Sequence, residues 1–148
     1  MPGLTAIKLL VAEDNPDDVE IAVRALRKSR LINDIRVVRD GEEALSLLFP
    51  DGDQDLDPFR PDLILLDLNL PKVSGFDVLD RIKTSDELSS IPVIVLTVSE
   101  RQEDIARAYQ LGANTYITKP VDFDGFTHAI DTLWEYWIVI AKLPLQAA

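Results

Sequence analysis

Residues 7–14 read IKLLVAED, a short and mostly apolar run closed by two acids. So brief a run, followed at once by Asn15-Pro16, suits a buried strand better than a helix. Pro16-Asp17-Asp18 then opens a helix to about residue 29, its first-turn acids placed where the helix dipole favours negative charge. Val19, Ala22, Val23 and Leu26 form a stripe at helical spacing, and Ile21 and Ala25 widen it. The same unit recurs along the chain. Further strands are predicted over 34–39, 62–66, 91–96 and 114–118. Helices are predicted over 41–49, 75–83, 101–111 and 123 to about 141. Gly112 suits the left-handed cap of the fourth helix, and Pro144 stops the last one.

Five strand–helix units in succession imply a doubly wound α/β fold, with a parallel sheet covered on both faces. Right-handed crossovers leave few topologies. The flavodoxin-like order 2-1-3-4-5 sets the first and third strands side by side. We read 1–148 as one domain, with a core over about 7–135 and an extended C-terminal helix and tail over 122–148. The segment 50–61, PDGDQDLDPFRP, breaks the rhythm; it reads as a solvated insertion, with a partner-contact loop as the alternative.

Composition narrows the function classes. The net charge of −11 argues against a direct grip on nucleic acid, which needs a basic footprint, and against anionic membrane surfaces. With no cysteine, thiolate metal sites and cysteine nucleophiles are excluded. Polar residues interrupt the apolar C-terminal region, so a membrane span is not expected. No signal peptide is evident at the N-terminus, and a cytoplasmic location is the expectation.

In a parallel sheet of this kind, ligands bind where the carboxyl ends of the strands open a crevice. Glu13 and Asp14 end the first strand there, and Asp67 ends the third. Two like charges about 4 Å apart repel by roughly 4 kcal/mol at an effective dielectric near 20. Such a cluster calls for a hard dication, for which magnesium is the candidate. Asp14 is the expected direct ligand. Glu13 acts directly or through water, and the Asn69 backbone carbonyl adds another oxygen. Lys119, after the fifth strand, brings a fixed ammonium, and Thr97, ending the fourth, brings a hydroxyl. Carboxylates, a lysine and a dication suit phosphoryl chemistry, with Asp67 as the nucleophile. Any one of these residues alone would read as a turn or cap; their joint placement at strand ends is the signal. His128, alone on the last helix, reads as structural or surface.

The combined pattern resembles the receiver domain of two-component response regulators. LLVAEDN is similar to the family's acidic-pair motif, and LILLDLNLPKVSGFDVL to its phosphoacceptor segment. VIVLTVS carries the matching hydroxyl at Thr97, and GANTYITKP the matching Lys119 and Pro120. The resemblance covers about residues 7–135. It implies phosphorylation of Asp67 by a sensor histidine kinase, self-catalysed transfer with slow hydrolysis, and signalling through protein contacts by a stand-alone receiver. It also implies a switch in which Tyr116 turns inward as Thr97 follows the phosphoryl group. The long loop and the ending WEYWIVIAKLP resemble a narrower group, the small regulators paired with bacterial phytochrome kinases, which implies such a kinase as partner.

Two other classes fit the fold less well. An aspartate-nucleophile phosphatase would want a carboxylic acid two residues after Asp67, where Asn69 stands. A flavin-binding electron carrier would want a glycine- and hydroxyl-rich phosphate loop where residues 13–18 read EDNPDD. The last helix carries one more expectation. Trp134, Trp137, Ile138 and Ala141 share a side at helical spacing, while Tyr136, Val139 and Ile140 project around the rest. A helix apolar on all sides wants cover on all sides. The expected cover is a second copy of the chain, with Tyr136, Trp137, Val139 and Ile140 at the dimer interface; a tail folding back through Leu143 and Leu145 is the alternative.

Overall fold

The computed structural model describes residues 7–28, 32–50 and 57–140. Strands β1 (Ile7–Ala12), β2 (Ile32–Val38), β3 (Leu63–Leu66), β4 (Val93–Thr97) and β5 (Thr115–Thr118) alternate with helices. The helices are α1 (Pro16–Leu26), α2 (Gly41–Leu48), α3 (Gly75–Lys83), α4 (Gln102–Gln110) and α5 (Phe123–Trp134). All neighbouring strands pair in parallel, in the order β2-β1-β3-β4-β5. This is the doubly wound, flavodoxin-like receiver fold expected from the sequence.

The two-residue period of the strands separates the core into two layers. Leu10, Ala12, Ile64, Leu66, Val93 and Val95 face α2, α3 and α4. Leu9, Val11, Leu63, Leu65, Ile94 and Leu96 face α1 and α5. β3 and β4 are buried on both sides, so they read as continuous apolar runs with no polar alternation.

Helix starts follow local chemistry. The Asn15 side chain accepts from the backbone N–H groups of Asp17 and Asp18, at 2.9 and 3.2 Å, and Pro16 occupies the first helical position. Asp40, Ser74 and Asp122 cap α2, α3 and α5 in the same way. α4 ends on Gly112 at φ 109°, with Ala113 N–H bonded to Ala108 O at 3.0 Å, the paired closure that favours glycine.

Several boundaries differ from the sequence reading. Asp62 lies just outside β3; its side chain accepts from Lys8 N–H and its own N–H donates to Lys8 O, fastening the strand start to β1. β4 begins at Val93, because Pro92 has no N–H to give the ladder. The last helix is not α-helical to residue 141. It turns π-helical over Glu135–Ile140. Its i→i+5 bonding widens each turn, so faces assigned at 3.6 residues per turn no longer apply there. Segment 50–61 is also no simple solvated insertion at its far end. Phe59 is buried in the core, with Arg36 over its ring at 4.8 Å, and Arg60 bonds Leu48 O and Glu87. Residues 51–56 lie outside the described residues.

Candidate functional site

Backbone bonds carry the sheet past its strand ends and set the acids in place. Glu13 N–H donates to Val38 O and Asp67 N–H to Ala12 O, each at 3.0 Å. Lys119 N–H donates to Thr97 O at 2.7 Å. Glu13, Asp67, Thr97 and Lys119 are all buried, while Asp14 is exposed at the mouth. Gly75, the first residue of α3, lets that helix press on the loop after β3: a Cβ there would lie 2.2 Å from the Asp67 carbonyl oxygen. Gly41 plays the same part at α2, where a Cβ would meet the Val73 carbonyl oxygen at 1.9 Å. Both glycines serve close approach of backbone, and neither forms a phosphate loop.

The Lys119 ammonium organises the crevice. It bonds Glu13 Oε1, lies 3.0 Å from Asp18 Oδ2 and 3.4 Å from Asp67 Oδ2. Glu13 Oε2 accepts from Asn15 N–H at 3.2 Å, and Asp67 Oδ1 accepts from Asn69 N–H at 3.2 Å. Burial is the largest influence on Glu13 and lifts its carboxyl to about 7; the Lys119 bond opposes this and the Asp67 charge adds to it. Burial also works against the Lys119 charge, but Glu13, Asp67 and Asp18 outweigh it and hold the ammonium above its usual value. The carboxylates around it let the ammonium keep its proton, while burial, with the Asp67 charge added, favours the protonated form of Glu13.

Oxygens of Glu13, Asp14 and Asp67 lie within 4.8 Å of one another. A hard dication binding oxygen at about 2.0–2.6 Å can bridge that span. Exposed Asp14 is the readiest donor. Both Glu13 oxygens are already engaged, which favours a water-mediated role for that side chain.

Thr97 is fully buried, and the Asn69 side-chain amide reaches its Oγ1 at a long 3.5 Å. The Tyr116 ring is half-buried against the core, and its hydroxyl donates to Ser99 O at 2.9 Å. Burial is the main reason that phenol is held above its usual value. The sequence reading missed Asp18, taken there only as a helix-opening acid, and did not foresee the approach of the Asn69 amide to Thr97. The available signal for Asp18 was its place on the first turn directly after the acidic pair. His128 is exposed. At the C-terminus, Tyr136 is exposed and Trp137 half-buried against the α1–α5 layer, their rings edge-to-face at 5.4 Å. Trp137 is thus partly spent on the chain's own core. The side chains of Val139 and Ile140, and all of Leu143 and Leu145, lie outside the described residues.

Residues 9–131 match the response regulator receiver domain. The chain therefore belongs to that family, and it is a phosphorelay signalling protein. Response regulator Rcp1 of Synechocystis sp. is 35% identical over 136 residues, 92% of each chain. The Mn2+-bound form of Rcp1 superposes with a TM-score of 0.88 at 34% identity, covering 94% of this chain and 99% of that one. The phosphorylated cyanobacterial phytochrome response regulator RcpA superposes with a TM-score of 0.90 at 39% identity, covering 95% and 100%. Among the described residues, no helix is long and apolar enough to cross a membrane.

Proposed function

We propose that Asp67 accepts a phosphoryl group from a sensor histidine kinase and that the phosphorylated chain, acting as one receiver unit in the cytoplasm, signals by altered protein contacts. The observation that carries this reading is the buried Asp67 carboxylate, held at the end of β3 between the Lys119 ammonium and the Glu13–Asp14 pair. An Asp67 oxygen attacks the phosphorus of a phosphohistidine. The P–O bond forms as the P–N bond breaks, and the imidazole leaves with the electron pair. Lys119 offers its charge to the phosphoryl oxygens, and Thr97 its hydroxyl. Held by Asp14, Asp67 and the Asn69 carbonyl, with Glu13 acting through water, magnesium would offset the repulsion between carboxylate and phosphoryl group. Asn69 offers no acid or base to speed hydrolysis, which favours a slow return over phosphatase turnover.

The likeness to the phytochrome response regulator RcpA supports a bacterial phytochrome as the kinase. Exposed Val121 and Phe123, just after Lys119, give a partner an apolar edge beside the crevice. A homodimer over Tyr136, Val139 and Ile140 remains our reading of the C-terminal segment, supported by the exposure of Tyr136. The test is incubation with phosphorylated kinase in magnesium, followed by intact-mass measurement. The wild type is expected to gain one phosphoryl mass and Asp67→Asn none; equal gain by both would refute the assignment.

A further inference from the structure

An ammonium has three donors, and Lys119 divides them among Glu13, Asp18 and Asp67. The Asp67 contact, at 3.4 Å, is the longest of the three. Charged N–H···O bonds are strongest near 2.7–2.9 Å, so the lysine is held more firmly by its α1-side partners than by the acceptor. Asp18 is well placed to hold it. Its backbone N–H is bonded to the Asn15 cap, Pro16 sets the start of the turn, and the next residue, Val19, is buried. Its side chain is 23% exposed, between crevice and solvent. Asp17, on the same turn, is exposed, and among the described residues the carboxylates paired with Lys119 are those of Glu13, Asp18 and Asp67.

We propose that Asp18 is a positioning residue for phosphoryl transfer, restraining Lys119 on the α1 side of the crevice so that the ammonium must exchange Asp18 for the incoming phosphoryl oxygens. The proposal rests on the reading of Asp67 as acceptor. Two consequences follow from the geometry. The restraint opposes transfer, because one of the lysine's bonds has to be given up. It also ties occupancy at Asp67 to the first turn of α1, which loses its counter-charge when the lysine moves.

The experiment measures initial phosphorylation rates against acetyl phosphate concentration in excess magnesium. Asp18→Asn and Asp18→Ala are expected to raise kcat/KM by about 3- to 5-fold, mainly through a lower KM, the upper part of the range expected for release of a partly exposed ion pair. Asp17→Asn removes the same charge without touching Lys119 and should change the rate less than about twofold. Asp18→Glu should restore wild-type behaviour. In a Lys119→Met background, Asp18→Asn should have no further effect, since coupled residues lose their separate contributions. Equal effects of Asp17→Asn and Asp18→Asn, or an Asp18→Asn effect that survives Lys119→Met, would overturn the proposal. A wild type that takes up no phosphoryl group would instead refute the acceptor assignment. In that event the restraint is read from the 15N resonance of the Lys119 ammonium in metal-free protein. Asp18→Asn should displace it and Asp17→Asn should not; an unmoved resonance would overturn the proposal.

Discussion

The Tyr116 hydroxyl donates to the Ser99 carbonyl at 2.9 Å, two residues beyond Thr97. Thr97 in turn faces the Asn69 amide at 3.5 Å, and Asn69 lies two residues beyond Asp67. A short run of polar contacts thus links the loop after β3 to the edge strand β5. Both ends can respond to a new charge at Asp67, because each contact is a single bond and β5 is only half-buried.

Thr97→Ala should keep its ability to take up a phosphoryl group but lose most of the conformational response. The 3.5 Å hydroxyl contact is long, but Thr97 is fully buried, so loss of its methyl should make the variant less stable by about 1–2 kcal/mol. Reversing a 99:1 population needs about 5.5 kcal/mol of differential stabilisation, and the hydroxyl's grip on the phosphoryl group is one part of that sum. Backbone amide spectra with and without a phosphoryl mimic are the measurement. Wild-type signals of α4, β5 and α5 should move, and those of the variant should move much less. A still wild-type spectrum would end the switch reading.

Lys119→Met should destabilise the metal-free protein by about 3–5 kcal/mol, because Glu13 and Asp67 are left buried with no cation. The loss should depend on pH. In the wild type, Glu13 rises from 4.5 to about 7, so between those values the folded chain keeps a proton that the unfolded chain releases. Stability from this group therefore falls as pH rises through that window. Lys119, held above 10.5, contributes stability that is present at neutral pH and lost only in strong alkali. Removing the lysine should deepen the fall, so variant and wild type should differ more at pH 8 than at pH 5. Thermal melts in chelator check this, and a difference independent of pH would contradict it.

Magnesium should raise the thermal midpoint of the wild type, by mass action on the folded state alone. At 100 times the dissociation constant the gain is about 2.7 kcal/mol. Asp14→Ala should abolish most of the shift, since Asp14 is the most exposed of the clustered acids. It should also slow phosphorylation severely. Wild-type protein that phosphorylates equally well in excess chelator would count against the metal.

Substituting Tyr136, Val139 and Ile140 together with serine should give a folded monomer, if the C-terminal segment is a two-fold interface. Tyr136 is exposed, and aromatic residues are enriched at interfaces. Sedimentation of the wild type at high micromolar concentration is the check, and a monomer there would exclude the dimer.

Much of the fold was legible because its signals are local. The apolar run at residues 7–12, the helix start at Pro16-Asp17-Asp18 and the left-handed Gly112 depend on near neighbours in sequence. The strand-end acids were legible for a related reason: once five strand–helix units are placed, Glu13, Asp14 and Asp67 fall at one end of adjacent strands.

By itself, then, the sequence determined the parallel α/β architecture and the strand-end acids of the crevice, since periodicity and helix-start signals act over a few residues. The tertiary structure alone decided which partners those residues take. Asp18 meets Lys119 across 101 positions, and Asn69 meets Thr97 across 28. The π-helical turn at Glu135 likewise has no local marker in the chain, and it reassigns the faces of the last helix. Such choices depend on side-chain distances between separate elements, and the close approach of Gly75 to the Asp67 carbonyl exists only once the layers have packed.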